Sequence, residues 1–189
     1  MKFVASAGFE ADLTRRHVTA QRRIEAPTPF NILLWRSVVD RGDAFWVGYR
    51  TVFERQSTPV RWTVYPKGRA AVAAFSDTNA MKTIAWFADD WWIARPHSKG
   101  AWVGDLRFGE TRSWGDKKGM VDSRLIFAWD ITHDAGGARL QQLPMSRGNV
   151  NETLRRMAQR IIGNHAAWEA NPRLAGVTGS LPEFLGAEQ

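Results

Sequence analysis

A two-residue alternation of apolar and polar side chains recurs along the chain and constrains the fold more than any other feature. Successive side chains of a β-strand point to opposite faces of a sheet, so an alternating run predicts a strand with one buried face. The alternation is clearest over residues 125–131, where Leu, Phe, Trp and Ile occupy every second position. Further runs that predict strands by alternation or aliphatic content cover residues 32–39, 45–53, 61–65, 91–95, 102–108 and 139–143.

Helices are predicted before, between and after these strands. Residues 9–25 carry apolar side chains at spacings of three and four, which predicts a helix that must end before Pro27. A short second helix is expected after a cap at Ser76 or Asp77. A last helix follows residues 149–152, whose Asn and Glu at a spacing of three resemble a capping box.

Strands joined by hairpins, with helices around them, predict an α+β fold. We expect one antiparallel sheet of about five to six strands, with helices on one face. The chain has 189 residues and is 44% hydrophobic, which suits one domain with its own core. We expect residues 1–175 to form that domain, and residues 176–189, which show no period, to be a poorly ordered tail.

The composition excludes several classes of protein. Cysteine is absent, which excludes a disulfide scaffold, a thiolate metal site and a cysteine nucleophile. No apolar run reaches the roughly 18 residues that a membrane-spanning helix needs. The first seven residues also lack the apolar stretch of a signal peptide. The sequence therefore predicts a soluble chain that is not cleaved at its N-terminus.

The positive charge is concentrated in one part of the chain. The net charge is +7, and Lys and Arg outnumber Asp and Glu only in residues 1–119. Two arginine pairs flank the apolar face of the predicted first helix: Arg15, Arg16, Arg22 and Arg23. Such a helix can lie on an anionic membrane surface, although a helix packed on its own domain shows the same pattern. Nucleic acid is a less favoured partner because no nucleic-acid-binding motif accompanies the charge.

Known catalytic and cofactor motifs are missing from the sequence. None of the four histidines pairs with another at a spacing of two or four, so no local zinc site is predicted. The nucleophile motif Gly-x-Ser-x-Gly and the phosphate-binding motif Gly-x-x-x-x-Gly-Lys-Ser/Thr are also absent. We therefore assign no catalytic residue and no metal ligand, and we expect neither heme nor nucleotide.

One charged pair stands out within a predicted strand. Asp105 and Arg107 are two residues apart, which places them on the same face. Such a pair is commonly a structural ion pair on a sheet surface. In a functional site, Arg107 would hold an anion while Asp105 orients it. The predicted loop over residues 109–119 begins with a glycine, where the backbone can approach a ligand closely.

Three stretches follow one another in a characteristic order: residues 27–36 (PTPFNILLWR), 84–88 (IAWFA) and 104–109 (GDLRFG). Together they resemble the soluble C-terminal region of the YdjM-like family, the LexA-binding, inner-membrane-associated metal-dependent hydrolases. The resemblance covers roughly residues 20–132. Its most specific parts are the blocks Pro-x-Asn-x-x-x-Trp and Asp-Leu-Arg-Phe-Gly. Six residues within these stretches are taken as candidate ligand-binding residues: Asn31, Trp35, Arg36, Trp86, Asp105 and Arg107.

The resemblance also implies a cellular setting. In that family a multi-span membrane segment and a histidine-containing motif precede this region, and a divalent metal is implied. This chain has neither the spans nor the motif, so no metal ligand is carried over. The resemblance implies the soluble part of a larger protein, at the cytoplasmic face of the inner membrane.

Three hypotheses of function follow. The first is an accessory domain of a membrane-bound, metal-dependent hydrolase, facing the cytoplasm and without a complete catalytic site of its own. The second is a stand-alone ligand-binding or enzymatic domain with a pocket near Asp105 and Arg107, lined by tryptophan. The third and least favoured is a nucleic-acid binder.

Overall fold

The computed structural model describes residues 1–113, 121–135, 137–144, 150–168, 172–174 and 183–185. The described helices are α1 (Lys2–Arg15), a 3-10 helix (Arg69–Phe75), α2 (Asn79–Ala88), α3 (Val150–Ile161) and α4 (His165–Trp168). The described strands are β1 (Arg22–Pro27), β2 (Leu34–Asp40), β3 (Ala44–Thr51), β4 (Trp62–Pro66), β5 (Trp92–His97), β6 (Gly100–Ser113), β7 (Val121–Asp134), β8 (Gly137–Gln142), β9 (Pro172–Leu174) and β10 (Glu183–Leu185).

The strands form two sheets, so the prediction of a single sheet is wrong, whereas the α+β class is confirmed. The first sheet has the order β1-β2-β3-β4-β10 and is antiparallel. The second has the antiparallel order β5-β6-β7-β8, and β9 pairs parallel to β7. The 3-10 helix and α2 connect the two sheets, between β4 and β5. The chain therefore completes most of one sheet before it starts the other.

The two sheets pack face to face, and helices cover their outer faces. Between the sheets, Leu34 and Phe45 from the first sheet share a core with Ile93 and Leu106 from the second. The outer face of the first sheet packs on α1, and the outer face of the second packs on the 3-10 helix and α2. The described part of the molecule thus has four layers, and its main core lies between the sheets.

Burial on both faces explains why the sequence predicted one sheet. Every residue of β2 is buried. Leu34 and Val38 face the second sheet, whereas Trp35 and Val39 face α1. A strand that is buried on both faces has no polar face, so its sequence does not show which layers will cover it. The pairing of strands into two sheets is set by contacts distant in sequence.

The first helix differs most from its prediction. α1 covers Lys2–Arg15 rather than residues 9–25, and β1 occupies Arg22–Pro27. The chain leaves the helical conformation at His17, whose φ of 53° lies in the left-handed region. β1 then pairs with β2 along its whole length, so the ladder between two strands replaces the predicted helical hydrogen bonds.

The arginine-lined face predicted for that helix does not form. Arg15 and Arg16 both pair with the carboxylate of Asp12, at 3.0 and 2.9 Å. Arg22 and Arg23 lie on β1 and pair with acidic residues of β1 itself and of neighbouring segments. No helix within the described ranges is long and apolar enough to span a membrane.

Other element boundaries agree with the sequence or move by a few residues. The β2–β3 hairpin is confirmed. Helix α2 is capped by Thr78 rather than by Ser76 or Asp77, because the Thr78 hydroxyl accepts a hydrogen bond from the Met81 N–H. Residues 109–113 continue β6 instead of forming a loop, and residues 114–119 of the predicted loop lie outside the described ranges. β10 lies within residues 176–189 and pairs with β4.

The layer between the sheets provides a first test of the fold. Ile93→Val removes one methylene group from a side chain that is fully buried there. We expect the free energy of unfolding to fall by about 0.5–1.5 kcal/mol, because the change loses apolar contacts and leaves a small void. Ile162→Val is the matched control, because Ile162 is 83% exposed. Urea denaturation measures both variants, and equal losses would contradict the placement of Ile93 between the sheets.

Candidate functional site

An irregular segment of β6 forms one wall of the candidate site. Asp105 pairs with Phe127 and Glu110 with Leu125, so four residues of β6 lie opposite one residue of β7. This large bulge spans residues 106–109. Gly109 has a φ of 83°, a conformation that side chains disfavour, and it allows the strand to resume at Glu110. Bulges commonly lie beside functional sites because they redirect side chains out of the regular ladder.

Asp105 fixes the shape of the bulge. Its carboxylate is fully buried and accepts hydrogen bonds from the Arg107 backbone N–H at 2.7 Å and from Arg107 Nη2 at 2.8 Å. Arg107 Nη2 also donates to the carbonyl oxygen of Phe87 on α2. Burial raises the pKa of Asp105, although the hydrogen bonds and charge of Arg107 oppose that shift. The pair therefore connects the bulge to the outer helix layer.

The raised pKa of Asp105 predicts a pH dependence of stability. A carboxyl whose pKa is higher in the folded than in the unfolded state adds stability on protonation, so this contribution is lost as pH rises through the folded pKa. We expect wild type to gain stability relative to Asp105→Asn as the pH is lowered from 7 towards the ordinary value of 3.8. Denaturant unfolding at several pH values measures this difference. A relative loss on acidification would show that the Arg107 ion pair outweighs burial.

A cleft opens between the two sheets beside the bulge. Its volume is about 40 Å³. On this measure about 10–15 Å³ accommodates one water molecule, so the cleft holds a small chemical group. The first sheet, the bulge, α4 and the segment after β1 all contribute to the lining, which consists of Ala26, Pro27, Thr28, Pro29, Arg36, Tyr49, Arg107, Phe108, Gly109, Glu110 and Trp168.

Arg36 is the most informative residue of this cleft. It lies on β2, is only 7% exposed, and its Nη1 donates to the Leu106 carbonyl oxygen at 2.6 Å. Its Nε is completely buried and has no hydrogen-bond partner among the described residues. No described carboxylate lies within 4.0 Å of the guanidinium as an ion-pair partner. A buried donor without an acceptor costs about 1–3 kcal/mol, and more when charged, so the fold maintains this group at an energetic cost.

A hydrogen bond between the sheets lies beside Arg36, because Tyr49 is the residue of β3 that pairs with Arg36. The Tyr49 hydroxyl of β3 donates to the Glu110 carboxylate at 2.8 Å. The Tyr49 ring contacts the Trp168 ring edge-on at a centroid distance of 5.9 Å. Arg160 on α3 donates to the Tyr49 carbonyl oxygen at 3.0 Å. Both sheets and the C-terminal helices therefore hold Tyr49 and Glu110 in place.

The structure brings three of the six predicted site residues together. Arg36 and Arg107 both line the cleft, and the Asp105 carboxylate accepts a hydrogen bond from Arg107. The Arg107 guanidinium lies 5.0 Å from the centre of the ring of Phe108, which also lines the cleft. Of the predicted pair, Arg107 thus lines the cleft, and Asp105 holds it without being part of the lining.

The other three predicted residues lie elsewhere. Asn31 shapes the segment before β2, since its Oδ1 accepts hydrogen bonds from the backbone N–H groups of Leu33 and Leu34. Trp35 is buried on the opposite face of the first sheet, against α1. Trp86 is 82% exposed on α2. These side chains do not line the cleft.

Three residues of the cleft were missed by the sequence reasoning. Tyr49 lies within the predicted strand of residues 45–53, Glu110 lies within the predicted loop of residues 109–119, and no motif includes Trp168. Each is far from the others in sequence. The only local signal for Glu110 was its position directly after the Asp-Leu-Arg-Phe-Gly block.

The described residues do not fit the divalent metal implied by the family resemblance. Within those ranges no three His, Asp or Glu side chains come together in a group able to bind a metal ion. Histidine and carboxylate side chains meet only in pairs there: His97 Nε2 lies 2.6 Å from the Asp130 carboxylate, and His165 Nε2 lies 3.2 Å from the Glu54 carboxylate. The His97 Nδ1 already accepts a hydrogen bond from the Lys99 N–H, so both ring nitrogens are engaged.

The cleft has to be interpreted on its own geometry, because comparison with known proteins supplies no family. No family model, no curated protein and no solved structure matches this chain.

Proposed function

We propose that this domain binds a small ligand through an anionic oxygen group, such as a carboxylate, in the cleft between the two sheets. The observation that carries the proposal is the buried Arg36 Nε, a charged donor that lacks an acceptor among the described residues. A carboxylate is the natural partner for such a group, because hydrogen bonds between two charged groups are about twice as strong as neutral ones.

The size of the cleft supports recognition of a head group. A volume of about 40 Å³ holds a carboxylate and a few further atoms, whereas sites that enclose a whole metabolite are several hundred Å³ in volume. Phe108 forms part of the wall and is 46% exposed, so this residue is accessible both from the cleft and from the surface. The remainder of a larger ligand would extend across this ring.

This proposal corresponds to the second hypothesis drawn from the sequence. The accessory role in a membrane-bound hydrolase and the binding of nucleic acid or an anionic membrane stay predictions. The arginine-lined helix that motivated membrane binding does not form, so none of these roles gains a site in the described residues.

Nuclear magnetic resonance of the arginine Nε–H groups tests the proposal at the atom concerned. The Arg36 resonance is assigned by its loss in the Arg36→Lys variant. We expect sodium acetate, added at constant ionic strength, to shift the Arg36 resonance along a saturable curve, because its Nε–H acquires a charged acceptor.

Arg50 is the internal control for that titration. It is 1% exposed and donates to the carbonyl oxygens of Thr58 and Glu54, so its environment has no place for the anion. If the Arg36 resonance fails to move with acetate or inorganic phosphate, or moves in step with Arg50, the proposed function is wrong.

A further inference from the structure

An aromatic cluster borders the cleft. It consists of Phe108 in the bulge, Phe87 on α2 and Phe127 on β7, and Phe108 also lines the cleft. We propose that the ligand is an aromatic carboxylic acid, whose carboxylate binds at Arg36 and whose ring packs against Phe108. This inference rests on the proposed function, because it assumes that a carboxylate binds at Arg36.

The rings of the aromatic cluster support one another. Phe108 lies edge-on to Phe127 at a centroid distance of 4.8 Å and stacks with Phe87 at 6.1 Å. Phe87 and Phe127 contact each other edge-on at 5.4 Å. Both of these rings pack against the core between the second sheet and its outer helices. Phe108 is therefore held at the cleft before any ligand binds, in the ring geometries that aromatic pairs prefer.

Phe108 keeps an accessible surface in spite of these contacts, since it is 46% exposed. The next residue, Gly109, also lines the cleft, and a Cβ atom added to it would meet no other atom within 4 Å. The space beside Phe108 at the end of the bulge is therefore open. A ring attached to a carboxylate that fills the cleft has room to lie there, on an apolar surface that is otherwise exposed to water.

Arg107 favours an aromatic ring over a saturated ring of the same size. Its guanidinium lies 5.0 Å from the centre of the Phe108 ring and 5.4 Å from that of Phe87, and Arg107 also lines the cleft. A cation attracts the negative face of an aromatic ring within about 6 Å of its centre. A ligand ring beside Phe108 approaches the same cation. A cyclohexyl ring offers a similar apolar area without this attraction and without the aromatic contact to Phe108.

Titration of the full chain with matched pairs of acids tests the inference, and the Arg36 Nε–H resonance reports binding. The aromatic acids are benzoate, phenylacetate and phenylpropionate, and each is compared with the acid that carries a cyclohexyl ring in place of its phenyl ring. Acetate is the reference without a ring. We expect at least one aromatic acid to bind about tenfold more tightly than acetate, the gain that one favourable aromatic contact supports. The same acid is expected to bind more tightly than its saturated counterpart.

The variant Phe108→Leu measures the contribution of the ring. Leucine keeps an apolar side chain at the bulge, and the position is only partly buried. We expect the preference for the aromatic acid to disappear while acetate still shifts the Arg36 resonance. Phe53→Leu is the matched control, because Phe53 is 67% exposed and does not line the cleft. This control should retain the preference.

The outcomes separate the two proposals. An aromatic acid that binds no more tightly than acetate, or no more tightly than its saturated counterpart, overturns the inference, and a response of Arg36 to acetate leaves the proposed function standing. These comparisons are made in wild type, so they do not depend on the folding of a variant. A preference that survives Phe108→Leu also overturns the inference. If the Arg36 resonance responds to none of the acids, both proposals fail.

Discussion

Asp12→Ala is expected to lower the free energy of unfolding by about 3–5 kcal/mol, the cost of removing one partner from a buried charged network. Asp12 is 2% exposed on α1. Its carboxylate accepts hydrogen bonds from Trp62 Nε1 at 2.8 Å, from the Val60 N–H at 3.1 Å and from both Arg15 and Arg16. Without the carboxylate, the Trp62 and Val60 donors remain buried and unpaired, so α1 loses its hydrogen bonds to these residues and retains its apolar contacts with the first sheet.

The matched control is Glu10→Ala on the same helix. Glu10 pairs with Arg23, but its side chain is 63% exposed, and exposed ion pairs contribute little to stability. We expect a much smaller loss of stability for this variant, measured by urea denaturation. If the two variants lost the same free energy, the Asp12 network would not be what attaches α1.

The Asp12 network also has a pH signature, opposite to that of Asp105. Burial alone would raise the pKa of Asp12, but the hydrogen bonds from Trp62, Val60 and Arg16 together lower it below its ordinary value of 3.8. A carboxyl with a lowered folded pKa contributes stability above pH 3.8 and loses it as the pH falls through the folded pKa.

Arg160→Met is expected to cost about 3–5 kcal/mol as well, because it removes the cation of a buried ion pair. Arg160 is fully buried on α3 and its Nη1 lies 2.6 Å from the Glu54 carboxylate. Its Nη2 donates to the Tyr49 carbonyl oxygen. After the substitution, the Glu54 carboxylate keeps one neighbouring partner among the described residues, His165 Nε2 at 3.2 Å. The substitution also releases α3 from the strand that carries Tyr49.

Arg155→Met is the control on the same helix. The Arg155 side chain is 55% exposed and pairs with Glu152, so its loss should change stability only slightly. Thermal unfolding monitored by circular dichroism compares the two variants. If Arg160→Met were as stable as Arg155→Met, the buried pair would not hold α3 on the first sheet.

Local patterns in the sequence predicted most of the strands but not how they assemble. The alternation over residues 125–131 reports which side chains share a face, and that is a property of neighbouring residues. The division into two sheets depends on contacts such as that between Phe45 and Trp91, whose ring centres lie 5.4 Å apart. No periodicity encodes such a contact. The spacing of three and four continues past His17, where the helix ends, so the sequence predicts a first helix that begins and ends too late.

The site was predictable only in part for the same reason. Asp105 and Arg107 are two residues apart, so their spacing alone indicated an ion pair on one strand. Tyr49 and Glu110 come together because two sheets face each other and a bulge displaces β6. Arg36 was selected with its matching stretch, but the sequence could not show that its Nε would be buried without an acceptor. The Arg36 guanidinium is held by the hydrogen bond from its Nη1 to the carbonyl oxygen of Leu106, 70 residues away.

The tryptophans within the described residues take different roles in the folded chain. Trp102 and Trp129 belong to the cores on the two faces of the second sheet, as their alternating strands predict. Trp62 donates to Asp12, and Trp168 forms a wall of the cleft. Trp86 is on the surface of α2. The aromatic content therefore reflects mainly a molecule with three apolar layers to fill, with Trp168 contributing to the site.

A crystal structure of the protein soaked with sodium acetate tests the binding site directly. We predict an acetate oxygen at about 2.7–3.2 Å from Arg36 Nε, within ordinary hydrogen-bond distance. The contrary result is an Arg36 Nε that bonds to an acceptor of the protein itself, with acetate bound elsewhere or absent. That result would show that the cleft between the sheets is not a ligand site.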